Sequence, residues 1–299
     1  MSNILFLETT PDFSFLHTVC SHGWSDLLPF EFDEENLRLS YVFTDGKSKK
    51  AVSAVISDVG GKLKIETDGD IGHEKLALDI RHVLRLDDAM AEFYGVIRKE
   101  PALGWVCEAN AGRLLRSPTV FEDLVKTLCT TNCSWGATKK MVTNLVEKLG
   151  DPASDGRRAF PTAAALASMP VEFFKDEIRA GYRSAYFTEM AESIVSGKLD
   201  PESWLHSELP TAELRKEIKK VKGFGDYAAD NLLKLLGRYD GLALDSWLRA
   251  QFYKKHNREK VCADEKIEKH YKKFGAWRGL AMWCDMTEKW FEEKAPKPF

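Results

Sequence analysis

Asp245 is the carboxylate in this sequence best placed to act on another molecule. It follows the short apolar stretch Leu242-Ala243-Leu244 and precedes Ser246 to Lys255, where apolar residues recur at helical spacing, so it stands at a helix start. An Asp there has a plain structural use as an N-cap, worth about 1 kcal/mol. Upstream, Leu214 to Lys220 reads as the end of one helix and Tyr227 to Leu236 as a second, stopped by Gly237. Between them lies Val221-Lys222-Gly223-Phe224-Gly225-Asp226. Two glycines two residues apart permit a tight turn and a close backbone approach. The amides of Gly223, Gly225 and Tyr227 would point out of the second helix's start, and such an end favours an anion. Lys219, Lys220 and Lys222 would add cationic reach. A phosphate held this way is contacted without base readout. Taken alone, the glycine pair is also what an ordinary link between packed helices looks like.

The elements that must carry this hairpin fall into two kinds. Residues 1–80 read as an antiparallel β domain. Leu37 to Phe43 is one strand, closed by Thr44-Asp45-Gly46; Ala54 to Val59 and Lys62 to Thr67 are two more, joined by Gly60-Gly61. From about residue 73 the period becomes helical, and Pro or Gly punctuates the helical segments that follow. The expected class is α+β: the sheet domain, then an all-α region over residues 81–299 in two helical subdomains, with the hairpin at about 211–237.

With 299 residues the chain can bury a substantial core, and 44% hydrophobic with 30% charged residues is ordinary for a water-soluble protein. No apolar run approaches a membrane span, and the N-terminal apolar run is too short for a signal peptide. An intracellular, reducing location is expected, with no membrane partner. The six cysteines include one close pair, Cys129 and Cys133, read as two small apolar residues on one helix face, and no iron–sulfur or zinc spacing. The net charge of −3 hides an asymmetry. Residues 211–280 hold 17 Lys or Arg against 10 Asp or Glu, a net of +7, leaving −10 elsewhere. Phosphate binding needs a basic face, not a basic protein.

Residues 221–230 followed by Leu244-Asp245 resemble the hairpin and catalytic Asp of the helix-hairpin-helix DNA glycosylase superfamily, with Lys222 where the family usually has Pro. Further segments match in order: Arg85-Leu86-Asp87-Asp88, Arg113 to Pro118, Leu128-Cys129-Thr130-Thr131-Asn132, Gly181-Tyr182-Arg183-Ser184-Ala185-Tyr186 and Phe274 to Ala281. They span about residues 80–290 and resemble the alkylbase (3-methyladenine) and 8-oxoguanine branch.

The resemblance implies base excision repair on double-stranded DNA carrying a damaged base, by a monomer. The damaged nucleotide is flipped out of the stack. Asp245 then stabilises the cationic sugar as the base leaves. A carboxylate about 4 Å from that charge is worth on the order of 4 kcal/mol, roughly a thousandfold in rate. Bifunctional members carry Lys at the start of the second hairpin helix; Tyr227 stands there and cannot form an imine, which implies a monofunctional enzyme leaving an abasic site. Asn132, Tyr182 and Arg183 match residues that contact DNA at the vacated stack. Asn231, Met282, Trp283 and Met286 match base-pocket positions, and a soft aromatic and methionine lining suits an alkylated purine. No cofactor is required. The hairpin of relatives holds a Na or K ion, and the matching carbonyls are those of Lys219, Val221 and Phe224. The alternatives are an oxidised or deaminated purine such as 8-oxoguanine as lesion, a non-catalytic hairpin module that binds DNA, and an unrelated helical enzyme.

Overall fold

The computed structural model describes residues 3–45 and 50–294, with the side chains of 291–294 set aside. Gly46, the last residue of the expected strand closure, lies outside the described residues. The chain opens with β1 (Asn3–Glu8), α1 (Phe15–Val19), β2 (Glu31–Asp33), β3 (Arg38–Thr44), β4 (Ala51–Asp58) and β5 (Lys62–Thr67). The strands form one antiparallel sheet in the order β1-β5-β4-β3-β2. Gly60 and Gly61 both take positive φ, +73° and +89°, as a two-residue turn between twisted strands requires. Leu63 and Ile65 of β5 face inward while the alternate residues face out, the period-2 pattern of a half-buried strand.

Helices follow: α2 (His73–Val83), α3 (Ala91–Ile97), α4 (Gly104–Glu108), α5 (Val120–Thr130), α6 (Trp135–Leu149), α7 (Ala163–Ala167), α8 (Val171–Asp176) and α9 (Ser184–Val195). Then come α10 (Thr211–Ile218), α11 (Asp226–Leu235), α12 (Ser246–His256), α13 (Asp264–Tyr271) and α14 (Arg278–Lys294). The fold is α+β. No helix among the described residues is long and apolar enough to cross a membrane.

Two main cores organise these elements. The larger joins the inner face of the sheet to α2, α5, α6 and α9 to α11 through residues such as Ile56, Ile80, Leu124, Phe187 and Leu232. The second gathers residues 90–114 with 239–286, including Phe93, Phe252, Tyr271 and Leu280. Residue 80 is therefore no core boundary, since Ile80 itself is packed in the core of the sheet. Cys129 and Cys133 do not share a helix face: α5 ends at Thr130, and the Cys133 thiol turns back to the Cys129 carbonyl at 3.0 Å.

The seam between the cores is tied by buried arginines. Arg85 donates to the Leu235 carbonyl at 2.8 Å, and Arg116 reaches the same oxygen at 3.4 Å. Two guanidinium groups thus satisfy the C-terminal end of α11, where the helix dipole favours cations. Arg113, 1% exposed, donates to the Asp12 and Arg85 carbonyls and ties the N-terminal segment to the linker.

Candidate active site

The hairpin is α10, the turn Lys219–Gly225, and α11. Gly223 is required by its surroundings. Its φ is +90°, and a Cβ there would lie 2.6 Å from Leu128 Cδ1 and 2.8 Å from Tyr186 Cδ2. The turn is thus pressed onto the end of α5 and the start of α9. The lysines expected to reach outward are engaged locally: Lys222 with Glu189 at 2.5 Å, Lys219 with Asp226 at 2.6 Å and Lys220 with Glu217 at 2.6 Å. These are surface pairs, so exchange for a phosphate costs little. Asp226 opens α11 but is drawn aside by Lys219 and by Arg215, 3.0 Å away. Gly225 is the N-cap, with no side chain over the helix end.

Beside this turn lies the loop after α5. Asn132 is exposed, takes a left-handed φ of +46°, and its amide meets the Tyr182 hydroxyl at 3.5 Å. Tyr182 is 54% exposed and packs edge-on to Tyr186, the residue under Gly223. Asn132, Tyr182 and the hairpin turn therefore share one face. Arg183 does not join them as expected. It is 5% exposed, donates to Thr131 Oγ1 at 3.0 Å and stacks 4.5 Å from the Tyr182 ring. Its guanidinium braces the loop from beneath, because the 3-10 turn Gly181–Arg183 aims it inward.

A cavity of about 630 Å³ opens next to this face, at the seam between the two cores. Asp245 stands on its wall as N-cap of α12: Oδ1 accepts the Leu248 N–H at 2.7 Å. The cap engages one carboxylate oxygen, which leaves the second for another partner. Ala243, buried with φ +51°, turns the chain into this position. Tyr227 and Asn231 also line the cavity. Burial first, and then the Asp245 charge, push the Tyr227 phenol up to about 12, so it stays protonated.

The base-pocket expectation divides on α14. Trp283 faces the cavity, with Nε1 donating to the Ser21 carbonyl at 2.8 Å. Met282 and Met286, 1% and 6% exposed, belong to the second core and do not line the cavity. They are one turn apart on the helix face that meets that core, whereas Trp283 lies on the neighbouring face. The lining is tryptophan-rich instead. Trp247 and Trp290 cluster with Trp283 at ring separations of 4.8 to 6.3 Å, and Trp24 and Trp135 complete the wall.

Several polar groups in the cavity were missed from sequence, among them Asp26, His22 and Lys234. His22 comes from the N-terminal segment; its Nε2 must donate to the Leu115 carbonyl at 2.6 Å, and burial lowers its pKa to about 4, so it is neutral near pH 7. Lys234 lies seven residues after Tyr227 on the same face of α11 and is 3% exposed. Its Nζ sits 4.9 Å over the Trp283 ring. Burial lowers its pKa to about 8, opposed by the charge of Asp245. The i,i+4,i+7 spacing of Tyr227, Asn231 and Lys234 was a visible signal for it.

At the hairpin, the Val221 carbonyl accepts the Phe224 N–H at 3.1 Å, leaving one lone pair. The Lys219 and Phe224 carbonyls accept no hydrogen bond among the described residues. This donor set fits a monovalent cation.

No family model and no curated protein matches the chain. Solved structures do. The Clostridium acetobutylicum 8-oxoguanine glycosylase/lyase, in complex with double-stranded DNA containing cytosine opposite 8-oxoguanine, is 20% identical with a TM-score of 0.71, over 97% of this chain and 98% of that one. The 3-methyladenine DNA glycosylase from Archaeoglobus fulgidus is 16% identical with a TM-score of 0.76, over 96% and 99%. MBOgg1 in complex with a low-affinity DNA ligand is 20% identical with a TM-score of 0.76, over 97% and 96%. At these identities the likeness is one of fold: the chain has the fold of the DNA glycosylases with a helix-hairpin-helix.

Proposed function

We propose that this protein is a monofunctional DNA glycosylase of the helix-hairpin-helix superfamily, acting in base excision repair inside the cell. The observation that carries the reading is Asp245 on the wall of a tryptophan-lined cavity that opens beside the hairpin face. The hairpin amides and lysines hold a DNA phosphate, assisted by a Na or K ion on the Lys219, Val221 and Phe224 carbonyls. Tyr182 and Asn132 occupy the gap left in the stack, and the flipped base enters the cavity.

The C1′–N bond then breaks with its electron pair leaving on the base. Asp245 stabilises the cationic sugar, and water adds to C1′ to leave an abasic site. Tyr227 holds the position where a strand-cleaving relative needs an amine, so excision stops there.

Sequence favours an alkylated purine as the lesion. Lys234 favours the second reading. A buried ammonium about 4 Å from a cationic N-methylated base repels it by on the order of 4 kcal/mol. A neutral purine with an oxo acceptor, oxidised or deaminated, suits the cavity better. The test is incubation with duplexes carrying 8-oxoguanine, hypoxanthine or 7-methylguanine, scoring released base and strand breakage separately. Release of an oxo purine with strand scission only after alkali supports the reading. Scission without alkali contradicts the monofunctional mechanism.

A further inference from the structure

A buried ammonium is costly unless something accepts its hydrogen bonds. Lys234 is 3% exposed, lines the cavity and packs over Trp283, yet among the described residues its Nζ has no hydrogen-bond acceptor and no ion-pair partner. The charged and titratable groups that face it are Asp245 at the start of α12, Asp230 on its own helix, Cys284 on α14 and His22 from the N-terminal segment. Asp230 is engaged by Arg215, Cys284 is a buried thiol whose pKa burial raises, and His22 is neutral near pH 7. Cavity water can accept from it at rest, and a molecule that displaces this water must supply the acceptor instead.

Position along α11 says which part of the substrate that is. Lys234 is seven residues beyond Tyr227, about 10 Å along the helix axis, and the charge of Asp245 reaches both side chains. With Asp245 set at the sugar, that axial offset from Tyr227 directs Lys234 toward the base. His22 and the ring of Trp283 flank it there.

Resting on the glycosylase reading, we infer that Lys234 is the catalytic acid of base release: its ammonium donates to N7 or an oxo oxygen on the buried edge of the flipped purine. As the C1′–N9 bond breaks, its electron pair passes to the base. Lys234 gives one proton to the accepting atom, the base leaves neutral, and the free amine recovers a proton from water. The sugar cation takes water at C1′, whose proton passes to solvent by way of Asp245. A 7-methylguanine already carries its positive charge and leaves neutral without this proton. The depressed pKa matches the role, because an acid near the working pH combines the right protonation state with a ready proton.

The test compares wild type with Lys234→Met, which keeps the stem over Trp283, and Lys234→Gln, a neutral donor. Two measurements are made. Single-turnover excision is followed from pH 6 to 10 on hypoxanthine, 8-oxoguanine and 7-methylguanine duplexes. Binding of the free oxo purines is followed by tryptophan fluorescence, with thermal melting as the folding control. Lys234→Met should lose about 100-fold or more on the oxo purines. It should keep or gain rate on 7-methylguanine and bind the free oxo purines at least tenfold more weakly. The wild-type oxo-purine rate should fall above about pH 8, and the variant's should not. Equal losses on all three lesions, or an unchanged pH profile in Lys234→Met, overturn the inference. Free-base binding that depends on Lys234 without any excision sinks the glycosylase reading and leaves the base contact standing. Neither binding nor excision overturns both.

Discussion

The Gly279 N–H donates to the Tyr239 carbonyl at 2.7 Å, and a Cβ on residue 279 would lie 2.1 Å from the Gly241 carbonyl oxygen. This contact seats the first turn of α14 on the segment that leads through Ala243 to Asp245. Gly279→Ala should therefore displace that segment. The expected cost is about 1–3 kcal/mol of stability, the usual range for overpacking, with a fall in activity larger than the loss of folded protein accounts for. Urea melts and active-site titration check this. Wild-type stability and rate in the variant would show that the contact does not position Asp245.

Gly223 joins the hairpin turn to Leu128 and Tyr186 at a φ of +90°. Ala at this position meets both side chains and a left-handed backbone that costs roughly 1–2 kcal/mol. On the proposed function, in which the turn holds phosphate, DNA affinity should drop on the order of tenfold for damaged and undamaged duplexes alike. Fluorescence anisotropy over a salt series checks it. A loss confined to damaged DNA would place the turn's role elsewhere.

His22 is held neutral with its pKa lowered to about 4, whereas in the unfolded chain it titrates near 6.5. Below pH 6.5 the unfolded state binds the proton more readily, so stability is full above 6.5 and falls as pH drops toward 4. His82, buried near Arg116 and Arg85 with a pKa lowered to about 3, acts in the same direction, while Asp123, raised by burial to about 6, acts oppositely. Comparing wild type with His22→Asn isolates the first effect. Their stability difference should move against wild type by about 2–3 kcal/mol between pH 6.5 and 4. A difference that stays constant with pH would contradict the burial argument.

Borohydride trapping on lesion duplexes should give no covalent adduct with wild type. Tyr227→Lys puts an amine into the cavity that Asp245 also lines, and should give one. A wild-type adduct mapped to Lys234 would move that side chain from the base to the sugar and contradict its assignment.

Much of the site was legible because its signals are local. Gly223 and Gly225, the helical period resuming at Tyr227, and an N-cap Asp after Leu242-Ala243-Leu244 each constrain a few residues of backbone, and the structure has them so arranged, with α11 beginning one residue earlier at Asp226. The failures came from facing. On α14, Met282, Trp283 and Met286 are all apolar, and helical spacing alone does not say which face meets the core. Arg183 was expected at the DNA face from the family match, but the turn Gly181–Arg183 directs it inward. The burial of Lys234 depends on residues distant in sequence, Trp283 of α14 among them. His22 and Trp24 reach the cavity from the far end of the chain, a closeness no local pattern encodes.

The central claim is that the charge of Asp245, and not its cap, drives base release. Asp245→Asn separates the two, because Asn caps a helix about as well as Asp. The decisive measurement is single-turnover excision of an oxo purine by this variant alongside its DNA affinity and melting temperature. The account predicts a loss of roughly a thousandfold in rate with affinity and melting unchanged. An Asn variant that excises at the wild-type rate would contradict it.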